Sequence, residues 1–220
     1  MDSSEGEYWI TNAIPQTDID SLNAGTNLLL LSKGTEDMRS VAEDIIAMAP
    51  NDDEGAVWIS LDGDVEWIIE DFADSSDMLK NLSIIEVGDE SEQIEELDPD
   101  HYFTVKSPKQ LTDLGMALIE YEDILGSSFS GNRIVFDSIT TLLANVEEDR
   151  VFEFIAAFSG RIRVDKNLGI WLMNTGEHGE ETIPVFRELF DIVIELPDEG
   201  ATEEVKIEVD AGDTGDWVSK

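Results

Sequence analysis

The sequence predicts a three-layer α/β domain, with a mostly parallel central sheet, helices on both of its faces and an antiparallel strand at the C-terminal edge. Short apolar runs alternate with amphipathic helical patterns along the chain, as βαβ units require. Runs such as Asn27 to Ser32 (NLLLLS) are apolar at successive positions, which fits strands covered on both faces. The last run, Glu203 to Asp210 (EEVKIEVD), instead alternates Val205, Ile207 and Val209 with charged residues, as an edge strand with one wet face does.

In chain order, strands are expected at Asn27 to Ser32, Ala56 to Ser60, Leu82 to Val87, Tyr102 to Lys106, Arg133 to Asp137, Leu168 to Asn174, Ile192 to Leu196 and Glu203 to Asp210. Helices are expected at Glu36 to Ala49, Val65 to Phe72, Pro108 to Leu125, Asp149 to Val164 and Ile183 to Leu189. In the third helix Leu111, Leu114, Leu118, Tyr121 and Leu125 recur at helical spacing and define a buried face. Gly88 to Asp100 (GDESEQIEELDPD) packs seven acids into thirteen residues and reads as a solvated loop. Ala211 to Lys220 reads as a turn-rich tail in which Trp217 is available to dock. The organisation is one domain over residues 13–210, between an acidic flexible N-terminus (1–12) and a flexible tail (211–220), with no internal repeat.

The charge is the dominant compositional fact. The 220 residues hold 13 Lys+Arg against 51 Asp+Glu, a net charge of −38. A field of that sign repels nucleic-acid backbones and anionic lipid unless molar salt shortens the Debye length to about 3 Å. Acid spread over the whole chain, scarce lysine and few large aliphatics point to a protein of a high-salt cell. An acidic disordered chain is excluded by the periodic apolar segments that recur from residue 27 to residue 195. There is no cysteine, so disulfides, thiolate metal sites and cysteine nucleophiles are excluded. The N-terminus MDSSEGE has neither a basic nor an apolar signal region, and no apolar run is long enough to span a bilayer. A cytoplasmic protein without membrane insertion is expected.

The segments IPQTDIDSLNAGTNLLLLSKGTEDMRS, AVWIS, NRIVFDSITTLL, GIWLMNTGEHG and LFDIVIEL, in that order, resemble the RecA-like ATPase domain of KaiC-type proteins over almost the whole chain. Ile14 to Leu22 and Gly25 to Asn27 resemble a worn form of the lead-in to that family's first core strand. The resemblance implies a RecA-like P-loop NTPase fold with ATP and Mg²⁺ as ligands. It places Asp137, in FDSIT (Phe136 to Thr140), at the end of the Walker B strand, where the family's aspartate holds Mg²⁺ through water.

A phosphate loop needs G-x-x-x-x-G-K-[ST], because glycines let backbone amides wrap the phosphates, lysine reaches the β/γ oxygens and the hydroxyl binds Mg²⁺. Lys33 to Ser40 reads K-G-T-E-D-M-R-S. Only Ser40 meets the pattern. Lys33 and Met38 stand in the glycine positions, and Arg39 keeps the lysine's charge without its compact shape. Glu36 and Asp37 place negative charge in the loop, so the helix N-terminus reads as self-occupied, with Thr35 as cap and the two acids against the dipole. The nucleotide-binding candidates are Gly34, Thr35, Arg39 and Ser40, and the Mg²⁺ candidates are Ser40 and Asp137.

In the resemblance, the loop after the second strand carries a pair of glutamates, one of which activates water. Here it reads Ser60-Leu61-Asp62-Gly63-Asp64, so Asp62 is a vestigial catalytic candidate and Gly63 cannot serve as the second acid. The competing reading is an Asp-Gly turn with Asp64 capping the next helix. Asp137, with Ser138 and Thr140, likewise reads either as a cation ligand or as a cap for the following turn. Asp62, Asp64 and Glu66 lack the spacing of a calcium loop. His178 lies in a rim loop, and neither it nor His101 belongs to a nucleophile motif. Arg150, Arg161, Arg163 and Lys166 form either a partner contact or intra-chain pairs. Trp9, Trp58, Trp67 and Trp171 read as structural.

Two functions follow. The first is a non-catalytic RecA/KaiC-like regulatory or assembly module acting through a protein partner or self-association, with no cofactor. The alternative is an ATP-binding protein or ATPase with an atypical phosphate loop, using ATP and Mg²⁺.

Overall fold

Eight strands form one sheet in the order β10 (Lys206–Val209), β9 (Ile192–Glu195), β3 (Asn27–Ser32), β8 (Leu168–Asn174), β7 (Gly131–Asp137), β4 (Glu54–Ser60), β5 (Leu82–Val87) and β6 (Tyr102–Val105). Every neighbouring pair is parallel except β9 and β10, which close the C-terminal edge antiparallel. The computed structural model describes residues 6–15, 17–48, 54–63, 65–73, 81–88, 99–124, 129–179, 181–197 and 205–209. Leu125, Asp64, the acidic stretch 89–98 and the tail with Trp217 lie outside them.

Strand side chains alternate between two cores. On β3, Leu28 and Leu30 join Trp58 of β4 beneath α1 (Thr35–Ala47) and α2 (Glu66–Ala73). Leu29 and Leu31 face the opposite way, with Trp171 of β8, toward α3 (Leu111–Ile124), α4 (Ile139–Asn145), α5 (Glu148–Asp165) and α6 (Thr182–Arg187). All four leucines are buried, so the unbroken apolar run follows from helices on both faces. In the second core Trp171 stacks on Phe136 at 4.4 Å, and Phe158 of α5 meets both rings edge-on. Gly169 allows this closeness, since a Cβ there would lie 2.7 Å from Ile162 and 2.8 Å from the Trp171 indole nitrogen. On α3, Leu111, Leu114, Leu118 and Tyr121 are buried as the periodicity predicts.

The N-terminal edge of the sheet is closed by elements that the sequence pattern does not announce. Within the stretch expected to be a flexible N-terminus, β1 (Glu7–Trp9) pairs antiparallel with β2 (Ser21–Asn23). Arg133, fully buried, locks this hairpin in place. Its Nε donates to Glu54 Oε2 at 2.8 Å, and its Nη1 donates to the carbonyls of Trp9 at 3.0 Å and Ile45 at 2.5 Å. The Tyr8 ring lies 5.5 Å from the guanidinium carbon. The Arg133–Glu54 ion pair explains why β4 starts two residues before the expected boundary, at Glu54, and β7 also starts two residues early, at Gly131, with Asn132 held by Asn167. Among the described residues no helix is long and apolar enough to cross a membrane.

Candidate functional site

In an open parallel sheet, functional groups collect outside the carboxyl ends of the strands. Here the ends of β3, β4, β7 and β8 converge on the start of α1. Ser32 ends β3, and its Oγ accepts the Gly34 N–H at 3.1 Å. Gly34, not Thr35, is the N-cap of α1, and no side chain caps the helix there. Thr35 is already the first helical residue, because the Ser32 turn delivers Gly34 to the cap position. The Asp37 carboxylate reaches back over the opening turn, so that a Cβ on Gly34 would lie 2.8 Å from its Oδ2. The acids Glu36 and Asp37 thus occupy the positive end of the helix, as expected.

One turn further along α1, Arg39 reaches across the strand ends. Its Nε donates to Asp137 Oδ2 at 2.6 Å, and its Nη2 donates to Asp62 Oδ2 at 2.6 Å. Asp62 is held from behind by Ser60 Oγ, which donates to its Oδ1 at 2.9 Å. Above the guanidinium lies Trp67 of α2, its ring centre 4.8 Å from the guanidinium carbon, and Trp67 in turn meets Trp58 edge-on at 5.2 Å. Arg39 is thus bounded by two carboxylates and an aromatic face.

The electrostatics separate the two arms. Asp137 is 2% exposed, and burial pushes its carboxyl up to about 6 even though Arg39 pulls the other way. The Trp58 indole N–H, which makes no hydrogen bond of ordinary geometry, also favours the ionised form. Burial works against the charge of Arg39, but Asp137 and Asp62 outweigh it and hold the guanidinium above its usual value. At neutral pH the inner arm is therefore an ionised, desolvated pair. The Asp62 side chain is 40% exposed, so its arm is screened by water.

A second network ties the rim together. Asn174, at the end of β8, donates from Nδ2 to the Lys33 carbonyl at 3.1 Å and to Thr35 Oγ1 at 3.5 Å. Its backbone N–H donates to Thr140 Oγ1 at 2.9 Å, and Thr140 lies 3.0 Å from His178 Nε2. Burial lowers the pKa of His178, which favours the neutral ring beside Thr140. Ser138 caps α4, accepting the Thr141 N–H at 3.4 Å, which leaves the Asp137 carboxylate to Arg39.

The predicted residues are therefore brought together selectively. Arg39, Asp62 and Asp137 form one cluster, and Gly34 and Thr35 belong to the loop clamped by Asn174. Ser40 is exposed on α1, and the cluster's hydrogen bonds do not include it. The Asp137 side chain pairs with Arg39, and the cap of the following helix is Ser138. Arg161 and Arg163 make intra-chain pairs with Glu122, Asp165 and Asp191. Trp67 and Asn174 complete the site but read in sequence only as a helix-face aromatic and a strand end.

Residues 25–196 match the model of a family of unknown function, DUF7504. The chain belongs to that family. No curated protein matches its sequence. Two solved structures from Pyrococcus horikoshii OT3 share its fold. The KaiC-like protein PH0186 superposes with a TM-score of 0.59 at 16% identity, over 91% of this chain and 86% of that one. PH0250 superposes with a TM-score of 0.59 at 16% identity, over 90% of this chain and 94% of that one. The domain is thus KaiC-like and RecA-type in architecture, as the resemblance implies. At this identity the likeness extends to the fold and not to the activity.

Proposed function

We propose that this chain is a non-catalytic RecA/KaiC-like module that acts through protein contacts in a high-salt cell. The observation that carries the reading is Arg39, whose cationic head lies between Asp137 and Asp62 at 2.6 Å from each. In a working site of this fold the Walker B aspartate would serve a metal ion. Here a side chain of the same domain already supplies the positive charge. Asp37 lies over Gly34, where a γ-phosphate would need open amides, and Met38 is packed in the core. The residues as they stand do not fit Mg·ATP. The −38 charge supports the high-salt setting, since molar counterion relieves carboxylate crowding. The test is phosphate release from ATP with Mg²⁺ in molar KCl. None above the protein-free rate is expected over hours, and turnover abolished by Asp137→Asn would refute the reading.

A further inference from the structure

At the amino ends of β7 and β8, opposite the Arg39 cluster, a chain of buried side-chain hydrogen bonds runs in one direction. The Tyr121 hydroxyl of α3 donates to Asn132 Oδ1 at 2.6 Å, and Asn132 Nδ2 donates to Asn167 Oδ1 at 3.3 Å. Asn132 is 5% exposed and Asn167 4%. The position of Asn167 follows from the end of α5. Lys166 turns through the left-handed region at φ 58°, and the Asn167 N–H closes on the Ile162 carbonyl at 3.0 Å. The Asn167 carbonyl accepts the Gly25 N–H at 2.9 Å, which fixes the residue from a second side.

The Asn132 backbone N–H also donates to Asn167 Oδ1, at 3.0 Å. A backbone N–H can only donate, so Oδ1 is the amide atom turned to Asn132 and Nδ2 is the one left over. That Nδ2 donates to no group among the described residues, so the polarised chain ends in an open donor. Asn167 and Asn132 line a polar pocket of about 260 Å³ together with Glu122, Phe129, Arg161 and Asp165. At about 30 Å³ each, about eight waters would fill it. Arg161 pairs with Glu122 and, at 3.2 Å, with Asp165, while its Nη1 donates to no group among the described residues. The paired carboxylates keep further lone pairs, since each oxygen accepts twice.

A buried donor without an acceptor is costly, so whatever fills the pocket must bring an acceptor to Asn167. An anion would bring it against Glu122, Asp165 and Asp123, whose combined charge exceeds that of Arg161. A bare cation brings no acceptor. A hydroxyl accepts from Nδ2, donates to a carboxylate and carries no charge. We infer that this pocket binds a small neutral polyhydroxy compound, a polyol or sugar, with one hydroxyl accepting from Asn167 Nδ2 and another donating to Glu122 or Asp165. Phe129 supplies the apolar part of the lining for the ligand's C–H groups. The pocket and the Arg39 cluster lie at opposite ends of the sheet, so the two readings can fail separately.

The test is NMR of the side-chain amides of the full chain in about 1 M KCl, where a Debye length of about 3 Å screens charge attraction but not hydroxyl hydrogen bonds. The probe is glucose, titrated to about 0.2 M, with potassium acetate as the anionic control. A saturable shift of the Asn167 amide pair is expected with glucose, at a Kd of about 1 to 20 mM, and none with acetate. Asn167→Asp keeps an oxygen for the Asn132 N–H and removes the open donor. It should weaken binding at least about tenfold, read from the Asn132 amide. Ser130→Trp, at an exposed position on the pocket rim, leaves the buried chain intact and should weaken binding comparably. A shift that rises without saturating would show water alone in the pocket, and saturable acetate binding would show an anion site. Either result overturns the inference, as does glucose binding that ignores both variants.

Discussion

Arg39 of α1 and Asp137 at the end of β7, 98 residues apart in sequence, meet at 2.6 Å with the carboxylate almost fully buried. The ion pair welds the first turns of α1 to the central strand of the sheet. It also commits the one buried carboxylate of the candidate site to a partner within the chain. Removing one partner of a buried pair leaves an uncompensated charge, whereas an exposed pair contributes at most about 1 kcal/mol. Arg39→Met should therefore cost about 3 to 5 kcal/mol in denaturant unfolding at neutral pH, and Asp62→Asn less than about 1 kcal/mol. Equal costs for the two variants would show that the inner arm is not the dominant one.

The raised pKa of Asp137 gives a pH signature. Its folded value, pushed up to about 6, lies above the ordinary 3.8, so the folded state holds this proton more tightly than the unfolded chain does. The associated stabilisation is complete below about pH 4 and is lost as pH rises through about 6. Compared with Asp137→Asn, the wild-type protein should thus lose relative stability between about pH 4 and pH 6. Titration followed by carboxyl NMR should place the midpoint near 6, and Arg39→Met should raise it further. A midpoint near 4 would contradict the burial argument.

At the opposite edge of the sheet, Glu54 is the counter-charge for fully buried Arg133. Glu54→Ala should destabilise the fold by about 3 to 5 kcal/mol and free the N-terminal hairpin, whose Trp9 carbonyl accepts from the same guanidinium. Hydrogen exchange at Tyr8 and Leu22 would report this directly. Unchanged protection would mean that the hairpin is held by its apolar contacts alone.

The net charge of −38 predicts strong salt dependence. The melting temperature should rise between about 0.1 M and 2 M KCl as self-repulsion is screened. A melt that does not move over that range would separate the acidic composition from any need for salt.

The strands β3, β5 and β8 were legible to the residue, because burial on both faces writes itself as a short run dominated by large apolar residues. The first two residues of β4 (Glu54 and Gly55) and of β7 (Gly131 and Asn132) read as loop, since Glu54 and Asn132 are polar and are core only through their pairing with Arg133 and Asn167. The strands β1 and β2 have three residues each and α4 has seven, too few periods to leave a pattern. For the candidate site, residue types at Lys33 to Ser40 indicated a departure from the phosphate-loop pattern. The destination of the Arg39 side chain was not legible, because it depends on the fold bringing α1, β4 and β7 to one edge. Asp62 was picked out as a remnant of the catalytic pair, and its position is the outer arm of Arg39. Trp67 and Asn174 act through neighbours that are distant in sequence, so no local motif marks them.

The central claim is that Lys33 to Ser40 is a closed turn whose arginine is already engaged. Calorimetry of the unmodified protein with ATP and Mg²⁺ in molar KCl tests it most directly. The account predicts binding no tighter than about millimolar, a free energy of about −4 kcal/mol. Micromolar binding that disturbs the Arg39–Asp137 pair would contradict it.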